Sequence, residues 1–242
     1  MRLVTSLLCL VVASAAFAGQ EGHWSYSGEA GPEAWARLSP QFSACAGMEQ
    51  SPIDLTGFIE AELPALGFAY RPGGTEILNN GHTVQVSYAA GSSLSVDGIA
   101  FELKQLHFHT PSENRIEGKS FPMEAHLVHA DRDGNLAVLA LLFVDGEENG
   151  ALKSIVATLP TSAGEKLALP AAFAAESLLP ADRDYYRFSG SLTTPPCTEG
   201  VRWLVLKRAA PISAAQVEAF AHAMHGPNNR PVQPVHARPV LK

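Results

Sequence analysis

Two short histidine runs set the strongest condition on the fold. His107-Phe108-His109 closes a run that reads as a β-strand, Phe101 to His109, and Glu124-Ala125-His126 lies in a second strand-like run, Met123 to His129. Side chains on a β-strand point alternately to opposite faces, so His107 and His109 project from one side. If the second stretch is a neighbouring strand, His126 reaches the same point and three imidazoles take three corners of a tetrahedron. Three neutral imidazoles with one open position describe a catalytic zinc site, because a structural site is closed by a fourth ligand and no cysteine lies nearby in sequence to supply it. A lone His-x-His is weak evidence and as easily belongs to surface or core. Here Gln105 and Glu124 each stand two residues before a histidine, on its strand face, where an amide or carboxylate holds the ring nitrogen turned away from the metal. His129 alternates away from the site and reads as a packing residue. His23, His222, His225 and His236 read as surface or cap residues.

The first 18 residues read as a secretory signal: Arg2, an apolar run from Leu3 to Val12, and the small-x-small site Ala16-Phe17-Ala18. The run is too short to span a bilayer. Cys9 lies inside it, and Leu8 before it is a poor lipid-attachment signal, so no anchor is read. Cleavage after Ala18 leaves residues 19–242, a length suited to one large catalytic domain with a substantial core. It also takes the formal net charge from −7 to −8. That balance argues against a nucleic-acid or anionic-lipid surface. No later segment is long and apolar enough for membrane insertion. The expected location is the periplasm or the exterior. There the remaining cysteines, Cys45 and Cys197, pair most simply as one disulfide.

The middle of the chain is rich in strand signals. Thr83 to Tyr88 alternates. Ser92 to Val96 leads into the turn Asp97-Gly98 and then the strand carrying His107. Asp133-Gly134-Asn135 turns the His126 strand into Leu136 to Phe143, a continuous apolar run that reads as a buried central strand; Val201 to Leu206 reads as another. Helical patterns are fewer. Glu147 to Leu159 fits one helix. Ser213 and Gln216 form a capping box before Val217, Phe220, Ala221 and Met224, and Gly226-Pro227 stops that helix. The fold class is mainly β (α+β), a large sheet with short peripheral helices and no βαβ alternation.

Gln105-Leu106-His107-Phe108-His109 and Glu124-Ala125-His126-Leu127-Val128-His129 together resemble the alpha-class carbonic anhydrases. So do, in family order, His23-Trp24-Ser25-Tyr26 with Gly31-Pro32-Glu33-Ala34-Trp35, Gln50-Ser51-Pro52-Ile53, Asn79-Asn80-Gly81-His82, Gly190 to Cys197, and Asn229-Arg230-Pro231-Val232-Gln233-Pro234. The resemblance covers nearly all of residues 19–242. Thr110-Pro111-Ser112-Glu113 stands where many animal members carry Trp-Gly, and Asn229 replaces a Trp often found before Arg-Pro. With the signal and the cysteine pair, the chain resembles the exported bacterial branch.

The resemblance implies a single domain on a twisted, mostly antiparallel central sheet, one Zn2+ per chain at the floor of a conical cleft, and reversible hydration of carbon dioxide to bicarbonate and a proton. It implies that Thr193 accepts a hydrogen bond from the attacking oxygen and donates to Glu113, which as a carboxylate only accepts. Val128, Val138, Leu192, Thr193, Thr194, Val201 and Trp203 resemble the substrate pocket. His82 matches the proton shuttle, a task suited to imidazole, with Tyr26, Asn80 and Gln85 ordering the water chain. Anions and sulfonamides are expected inhibitors, esterase activity is a possible second reaction, and monomer or homodimer both remain open.

Two other readings compete. A cupin also carries His-x-His with a Glu four positions on, and Glu113 stands there as a would-be fourth ligand. It also needs a Gly six residues before the first His, where Phe101 stands, and a Gly seven after the Glu, where Ser120 stands. A recognition module that has lost its catalytic metal is the non-enzymatic reading, but all three histidines, Glu113, Thr193 and His82 are present.

Overall fold

A computed structural model describes residues 22–242; the signal sequence, with Cys9, lies outside the described residues. Thirteen strands carry the fold. They are β1 (Asp54–Leu55), β2 (Gly67–Ala69), β3 (Gly74–Asn79), β4 (Val84–Tyr88), β5 (Ser93–Val96), β6 (Ile99–His109), β7 (Arg115–Ile116), β8 (Met123–Ala130), β9 (Leu136–Asp145), β10 (Lys166–Phe173), β11 (Tyr185–Ser191), β12 (Glu199–Leu206) and β13 (Ala210–Ile212). Eleven of them form one sheet whose main path runs β10-β3-β4-β6-β8-β9-β12-β11, with β2 on β5, β5 on β6 and β13 on β9. Only β9 with β12 and with β13 run parallel in it. The α-helices are short: α1 (Trp35–Leu38), α2 (Lys153–Val156) and α3 (Ala214–Ala223). The chain is a single domain of the predicted class.

Strand β9 shows why the sheet is laid out this way. Ala137, Leu139, Leu141 and Phe143 point into the larger core, and Val138, Ala140 and Leu142 into a second, smaller one. A strand covered on both faces has no use for polar residues, hence its unbroken apolar run. The neighbouring β8 and β6 differ. Leu106, Phe108, Ala125 and Leu127 face the larger core, so the alternate residues His107, His109 and His126 share the other face. A third cluster, Trp35, Phe42, Cys45 and Cys197, sits by the N-terminal helical turns, and Cys45 and Cys197 are bonded.

The turns follow their residue types. Asp97 and Gly98 both have positive φ, 53° and 74°, and join β5 to β6 in a two-residue hairpin, with Val96 opposite Ile99. Between β8 and β9 the Asp131 carboxylate accepts from the backbone of Asp133 and Asn135 and from the Asn135 amide. Ser213 and Gln216 form the capping box of α3.

The predicted helix over 147–159 is a correction. It is a 3-10 turn, Gly150–Leu152, running into the four residues of α2. Gly150 and the β-branched Ile155, Val156 and Thr158 weaken a longer helix, and the segment is satisfied by seating Leu152 and Ile155 in the core.

Candidate metal centre and active site

Register brings the histidines together. In the β6–β8 pair His107 lies opposite His126 and His109 opposite Glu124. One ring nitrogen from each of His107, His109 and His126 falls within 4.8 Å of the others. Each remaining nitrogen has its own partner. His107 Nδ1 meets Gln105 Oε1 at 2.9 Å, and His126 Nε2 meets Glu124 Oε1 at 2.9 Å. His109 Nδ1 donates to the Asn228 carbonyl at 2.8 Å. Sequence reasoning missed this last one, since a backbone carbonyl has no side-chain signature.

The electrostatics favour neutral rings at His107 and His109. Burial, then the neighbouring histidines, hold His107 well below the usual imidazole range, and burial holds His109 below it. Glu124 behaves oppositely. Burial alone would raise its pKa, but His126, Asn114 and their hydrogen bonds prevail and keep it low. Its oxygens accept from the backbone of Glu113 and Asn114 and from the Asn114 amide, at 2.7–2.8 Å, besides His126.

The residues fit a metal ion. His109 Nε2 is buried with no protein partner, although burying a polar nitrogen without one is costly. It points with its two neighbours at a common position. Three imidazole nitrogen donors with no thiolate suit a divalent ion of borderline softness with an open coordination position. Glu113 stands beside this set and outside it, with Oε2 at 3.5 Å from His109 Nε2 and 3.9 Å from His126 Nδ1. Its Oε1 accepts from the Arg230 backbone N–H at 2.8 Å. Burial pushes the Glu113 carboxyl up to about 7; His126, the Arg230 N–H and the Thr193 hydroxyl oppose the rise. A bound cation would oppose it further.

The other predicted residues fall around this point. Thr193 is buried, in the turn between β11 and β12. A cavity of ≈ 140 Å³ next to His107 and His109 is lined by Tyr26, Asn80, His82, Gln85 and Thr194, with Trp24. His82 is half-buried and stacks on Trp24 at 3.6 Å, with 9° between the planes. Burial, then the nearby His23, lowers its pKa. Val138, Val201 and Trp203 lie inside the second core, with Val128 and Leu192 packed against it and half-exposed. Trp203 turns its ring edge to His126 at 4.9 Å. His129 is buried on the far face, and His23, His222, His225 and His236 are exposed. No helix among the described residues is long and apolar enough to cross a membrane.

Fold and site together define a sheet-borne, three-histidine metal centre of the kind found in mononuclear metalloenzymes. The family described as eukaryotic-type carbonic anhydrase matches residues 30–242. A carbonic anhydrase of Neisseria gonorrhoeae is 49% identical over 244 residues, covering 100% of this chain and 96% of that protein. Among solved structures, a hyperthermostable carbonic anhydrase from an active hydrothermal vent chimney superposes with a TM-score of 0.88 at 51% identity, over 90% of this chain and 99% of that one. The alpha-carbonic anhydrase of Thermovibrio ammonificans, in complex with the inhibitor sulfanilamide, gives 0.90 at 46% identity, over 92% and 100%. The chain belongs to the alpha, or eukaryotic-type, carbonic anhydrases and is an enzyme of that family.

Proposed function

We propose that the protein hydrates carbon dioxide reversibly at a single Zn2+ ion held by His107, His109 and His126. The carrying observation is the convergence of three ring nitrogens within 4.8 Å, each ring fixed from behind by its own acceptor. When bound there, zinc lowers the pKa of a water at its open position and so supplies hydroxide at neutral pH, as in carbonic anhydrases generally. Neutral ligands leave the ion its full charge. Gln105, Glu124 and the Asn228 carbonyl keep the rings aimed.

Thr193 accepts a hydrogen bond from the attacking oxygen and donates one from its own hydroxyl to Glu113. That fixes which lone pair faces the substrate. Val128, Val138, Leu192, Val201 and Trp203, with Thr194, form the wall against which the apolar substrate rests. His82 carries the released proton outward, and Tyr26, Asn80 and Gln85 order the water between. The lowered pKa of His82 favours giving the proton up to buffer.

The same site is expected to bind anions and sulfonamides, since a close relative binds sulfanilamide, and to hydrolyse activated esters slowly. The Cys45–Cys197 bond supports export to the periplasm or beyond. Stopped-flow carbon dioxide hydration with metal analysis of the same sample tests the proposal. One zinc per chain with rapid hydration is expected; an active, metal-free protein would refute it.

A further inference from the structure

The spacing between Thr193 and Glu113 is set by neither residue's own element. Thr193 lies in the β11–β12 turn and Glu113 in the loop after β6. One segment, residues 45–51, grips the turn at both ends. At the front, the Ser51 N–H donates to Ser191 Oγ at 2.9 Å and the Ser191 N–H returns a bond to Ser51 Oγ at 3.1 Å. At the back, Gln50 Nε2 donates to the Cys197 carbonyl at 3.1 Å, beside the Cys45–Cys197 disulfide.

The same segment holds the group that binds Glu113. The Arg230 guanidinium donates to Gln50 Oε1 and the Ser51 carbonyl, both at 2.8 Å, and to the Cys45 carbonyl at 3.1 Å. The Arg230 backbone N–H donates to Glu113 Oε1. A path therefore runs from Glu113 through Arg230, Gln50 and Cys197 to the turn that carries Thr193, and the hydrogen bond proposed from Thr193 to Glu113 would close it into a ring. Gln50 is the side chain in that ring that bonds in both directions. Its amide fits only one way round, because the guanidinium needs an acceptor while the Cys197 carbonyl and the Glu199 carboxylate, 3.0 Å away, need donors. It is 3% exposed, so no water readily replaces it.

We infer that Gln50, bridging Arg230 and the Cys197 carbonyl, is a positioning residue that sets Thr193 against Glu113. The inference rests on the orienting roles proposed for that pair. The disulfide still joins Cys45 to Cys197 when the amide is removed, so the turn stays attached and loses only its aim. A displacement on the order of 1 Å in a group that aligns a nucleophile costs up to about a hundredfold.

The test compares Gln50→Leu, which removes the bonds to Arg230, Cys197 and Glu199, with Gln50→Glu, which keeps the acceptor for Arg230 and loses the donor to Cys197 and Glu199. Each is made alone and with Thr193→Ala, in the zinc-loaded full chain, with rates taken per bound zinc. Attack on carbon dioxide is read from kcat/KM and proton export from the buffer dependence of kcat. Either Gln50 variant should lower kcat/KM by about tenfold with a smaller change in kcat at saturating imidazole. In the Thr193→Ala background the further loss should be about twofold or less, since both act on one alignment. An unchanged kcat/KM overturns the inference, and so does the same tenfold loss with Thr193 already gone. An equal fall in both parameters overturns it too, because that is lost active fraction. If neither Gln50 variant unfolds cooperatively, the residue is structural and the inference fails. If Thr193→Ala alone costs nothing, the orienting reading itself is wrong and the inference falls with it.

Discussion

Strand β8 carries two histidines three positions apart in opposite worlds. His126 faces the metal side, where it meets Glu124, whose oxygens also accept from Asn114 and the Glu113 N–H, and where Glu113 Oε1 accepts from the Arg230 N–H while Glu113 Oε2 and His109 Nε2 have no protein partner. His129 faces the larger core, where its Nδ1 donates to the Ala137 carbonyl at 3.3 Å and its Nε2 accepts from Tyr70 Oη at 2.6 Å among aliphatic neighbours. The metal face works through direction: its hydrogen bonds hold three ring nitrogens toward one point. The core face works through area: many side chains share one task, and the loss of one is felt as stability. The same backbone thus separates what the enzyme does from how long it lasts.

The strongest way to break that separation is His126→Ala. Zinc binding and hydration should both disappear while the cooperative unfolding of the zinc-free protein is nearly kept, as metal analysis, stopped-flow kinetics and calorimetry would show. Full hydration activity in this variant would end the metal-face reading. On the other face Leu127→Ala should cost about 2–5 kcal/mol of stability and leave kcat/KM per folded molecule unchanged. Denaturant unfolding and kinetics at low temperature check it, and a large drop in specific activity would show that the faces are coupled. Glu113→Gln adds a donor facing Thr193. Hydration should fall on the order of a hundredfold with zinc retained. A variant that loses its zinc would make Glu113 a ligand, as a cupin-like site requires.

A finer contrast concerns acid. Burial lowers the pKa of His129 to about 4, and Tyr70 faces it as a neutral phenol whose own pKa burial raises well above the usual value. Between the unfolded value near 6.5 and about 4, the unfolded chain binds a proton that folded His129 refuses. Stability therefore falls as the pH is lowered through that window, by up to about 3 kcal/mol from this group, and none of that loss is felt above it. His129→Gln should lose less stability than the wild type between pH 7 and pH 4, a comparison in which the metal-site histidines cancel. Identical pH profiles would refute it. The smallest effect is at His82. His82→Ala should slow kcat in weak buffer, leave kcat/KM nearly intact, and recover with imidazole; a variant with unchanged kcat would assign the relay elsewhere.

The parts of the molecule legible from sequence are those where one face decides the residue. β4 and β8 alternate, β6 alternates on either side of a bulge between Leu103 and Gln105, β9 is apolar throughout, and Asp97-Gly98 supplies the backbone its turn requires. Strand β10 was not legible. Its Leu-Ala-Leu-Pro-Ala-Ala run contains Pro170, which suits an edge strand that breaks register between Ala168 and Phe173. Nor was β11, whose Tyr, Arg, Ser and Gly residues show no strict period because its ends serve different neighbours. At the site, Gln105 and Glu124 were readable because strand parity places them. The Asn228 carbonyl, the Arg230 clamp and the Trp24–His82 stack were not, since contacts across 58 to 180 positions have no local periodicity to announce them.

The ranges of these contacts also imply an order of assembly. His107, His109 and His126 belong to two adjacent strands joined by a loop, so they need only one short-range pairing to meet. The groups proposed to aim the chemistry do not. Arg230 reaches Gln50 across 180 positions, and His109 waits for a carbonyl 119 residues later. Closing loops of such different lengths favours the local pairing first. A chain emerging unfolded on the far side of a membrane would then capture its metal before it can use it. During refolding, protection of the β6–β8 amides and metal uptake should precede the first catalytic turnover. The dead time between them would measure how long the segment carrying Asn228 and Arg230 takes to dock.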